Sequence, residues 1–169
     1  DLTNSGANYT SSGKIGGCYS FSTNDELYLN ASAVTTLGAG DGHRTIMLWA
    51  KQDSATPGEN QCVVKTAKDS GEFWLRVDSD NDWTVYRQST SSEQKYTEAS
   101  GSSSTSWVFR GGWFNRDDGA TGFKIWSDTT LDTGGAVDNN NMRTSGSYGL
   151  FVGSDGGTQH FDGDIDEVR

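Results

Sequence analysis

Cysteine, proline and long apolar runs are what this chain has least of. Its 169 residues include two cysteines and one proline, and no apolar run lasts more than a few residues. A helix needs about 20 apolar residues in a row to cross a bilayer, so membrane insertion by a helix is excluded. Nothing follows the basic, apolar, small-residue order of a secretory leader. Two cysteines are too few for a disulfide scaffold, and the spacing of Cys18 and Cys62 matches no zinc motif. They leave two alternatives open: one bridge, contributing roughly 3–4 kcal/mol, or two buried thiols. Positive charge is scarce as well. Against 23 Asp and Glu stand 13 Lys and Arg, for a formal charge of −10, with no Lys/Arg cluster longer than two residues. Nucleic acid and anionic membranes need a concentrated basic face, so neither is expected as a partner.

Aromatic residues are plentiful at 11%, although only 32% of the chain is hydrophobic. Disordered chains are poor in aromatics, so this composition describes a folded domain of short strands and many loops. No dozen-residue window shows helical spacing. Strand-like segments recur instead at 15–21, 26–30, 44–51, 61–66, 72–78, 83–88, 107–115, 122–127, 149–153 and 164–169. Turns fall at Asp41-Gly42, Asp118-Gly119, Gly134-Gly135 and Asp155-Gly156-Gly157, where Gly and Asp accept positive φ. Two polar stretches, 89–106 and 128–147, read as long surface loops. Alternation is clean in two places. Phe73, Leu75 and Val77 share one strand face and Trp74 and Arg76 the other, while Trp126 lies opposite Phe123 and Ile125. The expected fold is all-β, a two-sheet antiparallel β-sandwich. One domain over 1–169 is expected, and the opening on Asp1 suggests a piece of a larger protein.

Four blocks in order resemble the laminin G-like, concanavalin A-like jelly roll. The first runs Gly13-Lys14-Ile15-Gly16-Gly17-Cys18-Tyr19-Ser20-Phe21 and on to Asp25-Glu26-Leu27-Tyr28-Leu29. Arg44-Thr45-Ile46-Met47-Leu48-Trp49-Ala50-Lys51 resembles the family's aliphatic-x-x-Trp strand. Trp107-Val108-Phe109-Arg110-Gly111-Gly112-Trp113-Phe114-Asn115 with Gly122-Phe123-Lys124-Ile125-Trp126 resembles its central pair. Gly149-Leu150-Phe151-Val152-Gly153 and Phe161-Asp162-Gly163-Asp164-Ile165-Asp166-Glu167-Val168-Arg169 resemble its closing signature. Gly111-Gly112 departs from the pattern, which has bulkier residues there. The resemblance implies a structural Ca²⁺ at Asp166, with carbonyls from the run Gly13 to Gly17, since calcium takes mixed oxygen shells. It also puts Trp49 and Trp107 in the core.

Enzyme chemistry lacks its parts. A retaining glucanase needs two carboxylates about 5 Å apart, and after Asp164-Ile165-Asp166 the positions two and three beyond are Val168 and Arg169, so the alternating acid trio is incomplete. Neither a nucleophile elbow nor a zinc-binding histidine pair occurs. The Asp78-Ser79-Asp80-Asn81-Asp82 run fails as an EF-hand, because Trp83 and Ser89 stand where glycine and glutamate are needed, and it reads as a hairpin tip. Exposed tryptophans beside polar loops suit sugars, whose C–H faces stack on rings; Trp83 and Trp126 are the candidates for ligand contact. The expected function is a non-catalytic carbohydrate-binding or adhesion module of a secreted, cell-surface or virion protein. The alternative is a structural or protein-interaction module, with a polysaccharide hydrolase or lyase third. The sequence carries no signal for an oligomeric state.

Overall fold

Strands whose residues alternate apolar and polar must bury one face, and two such sheets satisfy each other. The computed structural model describes residues 2–29, 43–66, 73–88, 93–98, 103–135 and 149–169. Its strands are β1 (Thr3–Ser5), β2 (Asn8–Thr10), β3 (Cys18–Phe21), β4 (Glu26–Leu29), β5 (Arg44–Gln52), β6 (Gln61–Thr66) and β7 (Phe73–Val77). They continue with β8 (Trp83–Gln88), β9 (Glu93–Thr97), β10 (Val108–Phe114), β11 (Phe123–Ser127), β12 (Thr130–Gly134), β13 (Leu150–Val152) and β14 (Gly163–Asp166). Two seven-stranded sheets result, ordered β1-β4-β13-β6-β7-β8-β9 and β12-β11-β10-β5-β14-β3-β2, and every pairing is antiparallel.

The core lies between the sheets. Val64, Phe73, Leu75, Val77 and Val85 from the first meet Ile46, Leu48, Phe114, Phe123 and Ile125 from the second. The sheets approach closely at Gly112, where a Cβ would stand 2.9 Å from Val85 Cγ2 and 3.2 Å from Leu75 Cδ1. Its neighbour serves the opposite face: a Cβ on Gly111 would meet Trp126 Cε3 at 3.1 Å. The glycine pair that departs from the family pattern thus lets the sheets close inside and an indole lie against the strand outside.

Several expectations change. Polar β1 and β2 were not legible as strands, and β9 and β12 lie inside the stretches expected to be loops. All four carry mixed, mostly polar residues at or beside sheet margins, where apolar alternation is not required. Trp49 is not a core residue: pairing with Phe109 and Asp166 turns it outward, half-buried, with Phe109 edge-on at 5.6 Å. Trp107 is likewise only half-buried. Both thiols are free and buried, Cys18 and Cys62 being in different sheets. Burial and the nearby Asp164 and Asp166 raise the Cys18 pKa, and burial above all raises that of Cys62. The Asp41-Gly42 turn lies outside the described residues.

Trp83 is the larger correction. Its partner Val77 faces inward, so the indole is core, 1% exposed, and not available to a ligand. Arg110, also inward, sets its guanidinium carbon 4.8 Å from that ring and its Nη1 3.3 Å from Glu98 Oε1. Ser127 accepts a further hydrogen bond from Arg110. Arg87 is equally buried, over Phe114 at 4.4 Å and donating to Gln94 at 3.0 Å. A polar seam therefore runs inside one side of the sandwich, each guanidinium laid on a ring and given an acceptor.

Burial holds the Glu98 carboxyl up at about 7; Arg110 opposes the shift, and Asp132 and Asp82 add to it. A carboxyl raised in this way binds its proton more tightly folded than unfolded. The stability gained is full below the ordinary value of 4.5 and is lost as pH climbs to about 7. Across that window the wild type should lose stability relative to Glu98→Gln, by up to roughly 1.4 kcal/mol per pH unit. Urea unfolding at stepped pH checks this, and parallel profiles throughout would show that Glu98 titrates alike in both states.

Candidate functional site

The two outer faces of the sandwich differ in depth. On the second sheet, outward side chains stand in solvent or halfway into it: Thr45 and Met47 are exposed and Trp49, Phe109, Trp113, Lys124 and Trp126 half-buried. On the first sheet the outward side chains are unevenly covered: Trp74 and Arg76 are half-buried and Lys95 is exposed, while Cys62 and Thr84 are 0% exposed, Lys65 3% and Tyr86 9%, although none of these faces the core. Half-open Trp74 and Arg76 among covered neighbours are the arrangement of a shallow recess, and recessed surfaces are where small ligands bind.

Register builds the recess. Tyr28, Phe151, Lys65, Trp74, Tyr86 and Lys95 pair one to the next across β4, β13, β6, β7, β8 and β9, forming one row. Arg76 stands in the adjacent row between Cys62 and Thr84. The Trp74 and Tyr86 rings lie 5.2 Å apart and tilted by 51°. The Lys65 ammonium sits 4.0 Å from the Trp74 centroid, and the Arg76 guanidinium carbon is 5.3 Å from Tyr86 and 5.9 Å from Trp74. Cations over a ring are attracted by its quadrupole and help to hold it in place. The turn after β13 overhangs one end: Gly156 packs on the Phe151 ring, and Lys65 donates to the Asp155 carbonyl at 3.1 Å. Burial raises the Tyr86 phenol pKa, as does its hydrogen bond to Glu93. Trp74 Nε1 and Arg76 Nε are buried and have no hydrogen-bond partner.

Trp126, expected to contact ligand, is on the other sheet, in a row with Leu131, Gly111 and Met47. It is half-buried, so its outward direction was legible from alternation with Phe123 and Ile125. The structure does not bring it together with Trp83. The row containing Trp74 was missed as a site because its members are spread from residue 28 to 151; the opposite-face placement of Trp74 and Arg76 was its only sequence signal.

Asp166 meets the glycine run as the resemblance implied, but through a donor. Its Oδ2 accepts the Ile15 N–H at 2.8 Å, and the turn closes by Gly13 N–H to Gly16 O at 3.0 Å. A calcium ion needs six to eight oxygens, and no group of three or more His, Cys, Asp or Glu that could hold a metal occurs among the described residues. Through Oδ2 the Asp166 carboxylate pins the turn to the closing strand. Asp164 is engaged as well, 2.9 Å from Lys51. The Asp78 hairpin tip caps itself, Asp78 Oδ1 accepting from Asp80 N at 3.0 Å and Asp82 N at 3.3 Å. EDTA should leave the melting temperature unchanged; a fall of several degrees, reversed by added Ca²⁺, would restore the ion.

Two seven-stranded antiparallel sheets packed face to face define a jelly-roll β-sandwich. The chain belongs to the concanavalin A-like lectin/glucanases superfamily, whose family pattern matches residues 21–169. No curated protein matches the chain in sequence. Among solved structures it resembles domain 4 of the extracellular arabinanase of Geobacillus stearothermophilus, in complex with arabinotriose. That match has a TM-score of 0.68 and 16% identity, covering 98% of this chain and 74% of that one. It also resembles the CBM40 of the Ruminococcus gnavus IT-sialidase bound to α2,3-sialyllactose, with a TM-score of 0.65 and 13% identity over 90% and 88% of the two chains. A third is the receptor-binding domain of botulinum neurotoxin D, with a TM-score of 0.66 and 10% identity, covering 98% of this chain and 43% of the other. At these identities the likeness is one of fold.

Proposed function

We propose that the chain is a non-catalytic carbohydrate-binding module and that its ligand lies in the recessed face of the first sheet, stacked on Trp74. The observation that carries this reading is the pairing of a rigid Trp74–Tyr86 platform with two buried, partnerless donors on the same face. A sugar offers both complements: C–H faces for the rings and oxygens for the donors. Two of the structural neighbours were solved with oligosaccharides, which supports a glycan ligand. One of them is a domain of an extracellular enzyme, which supports attachment to a larger secreted, surface or virion protein. The carboxylates closest to a glucanase pair, Asp164 and Asp166, hold Lys51 and the Ile15 amide, which supports a non-catalytic role.

A second reading places ligand on the opposite sheet, at Trp126. It is favoured by the way that indole lies over Gly111, and by the Lys124 ammonium 4.0 Å over the Trp113 ring on the same sheet. Single substitutions separate the two. Trp74→Ala should weaken glycan binding by about tenfold or more, the loss of a stacked ring being worth roughly 1–3 kcal/mol. Trp126→Ala should leave binding unchanged. Isothermal titration of both variants, with ligands drawn from a glycan array, is the check. The reverse pattern would move the site to the second sheet, and failure of the wild type to bind any glycan would favour a protein-interaction module.

A further inference from the structure

The recessed face is rich in groups that can only donate. Arg76, Lys65, Lys95 and the Trp74 indole N–H can only donate. Acceptors nearby are already engaged: Glu93 holds the Tyr86 hydroxyl, and the Asp155 carbonyl takes Lys65. The Asp155 carboxylate is turned into its own loop, accepting from Gly157 N at 2.8 Å and Gln159 N at 3.1 Å. Thr84 Oγ1 donates to Asp78 Oδ2 at 3.2 Å and shares a proton with Thr97 at 3.0 Å. Arg76 forms no ion pair among the described residues, and its Nε is buried without an acceptor.

From this imbalance, and resting on the glycan-binding reading above, we infer that the recess selects an acidic glycan, one whose carboxylate or sulfate meets Arg76 and the Trp74 indole N–H while its ring stacks on Trp74. A neutral hydroxyl brings a donor for each acceptor, and Arg76 has no carboxylate partner among the described residues. An anionic oxygen brings acceptor capacity alone. It turns two unmade buried hydrogen bonds into charge-assisted ones, the strong class. The planar Arg76 fork, lying beside Tyr86, suits a planar carboxylate or a sulfate edge better than a single hydroxyl. Location matters in a chain of net charge −10. Long-range repulsion is screened within about 8 Å at physiological salt, so a local group of cations suffices to capture an anion.

Titration calorimetry with paired probes tests the inference without relying on any variant. The probes are an oligogalacturonate and its methyl ester, and a sulfated oligosaccharide and its desulfated form, together with neutral arabinan and glucan oligosaccharides. The wild type should bind at least one charged probe about tenfold or more tighter than its neutralised twin, with affinity falling as salt rises. Arg76→Gln should bring the charged probe down to the affinity of its neutral twin, while Arg76→Lys keeps part of the preference. Equal or tighter binding of the neutral twins would overturn the acidic preference and leave the module reading standing. Binding of no probe, charged or neutral, would overturn both.

Discussion

The register between β6, β7 and β8 is the constraint on which the rest depends. Val64, Leu75 and Val85 pair across these strands and face inward, so Lys65, Trp74 and Tyr86 must line up outward. Side-chain direction in a strand has a period of two, so a slip of one residue would exchange the faces and put a lysine and a tryptophan in the core. The inward row is locked by the opposite sheet: Leu75 and Val85 press on Gly112, where no larger residue fits without displacing them. Core packing and the outward row are therefore two consequences of one register. The bulge between Cys62 and Val64 is the one irregularity, and pairing resumes at Val64 with Leu75.

The outer faces then diverge. The second sheet carries its outward aromatic residues half-buried on an open surface, with Gly111 giving Trp126 room to lie down. The first sheet sets half-buried Trp74 beside buried Tyr86 and Phe151. An aromatic ring in a recess, held by cations, is preorganised in a way that a ring on open surface is not. This difference in depth distinguishes the two aromatic surfaces.

Much of the fold was legible because the second sheet's central strands and the β7–β8 hairpin alternate strongly, and because Phe161 to Arg169 resembles a family's closing strand. The margins were not. A strand such as β9, Glu93–Thr97, shows almost no apolar alternation and is ordered by pairing with β8. Trp83 was misplaced because Arg87, two residues past Val85, breaks the apolar pattern of its face. That arginine is inside, on Phe114, and only the folded seam explains it. Asp166 was correctly brought to the glycine run, but sequence could not tell whether the turn would present a carbonyl or an amide. It presents the Ile15 amide. The recess itself depends on neighbours spread from Tyr28 to Phe151, and no local pattern announces a cross-strand row.

The central claim is that ligand occupies the face carrying Trp74. Six tryptophans give six indole N–H resonances in a ¹H–¹⁵N spectrum, and single substitutions assign them. Titration with a bound glycan should shift the Trp74 resonance, whose Nε1 is buried and without a partner, and leave those of Trp113 and Trp126 in place. A shift at Trp126 or Trp113 with Trp74 unmoved would contradict the account.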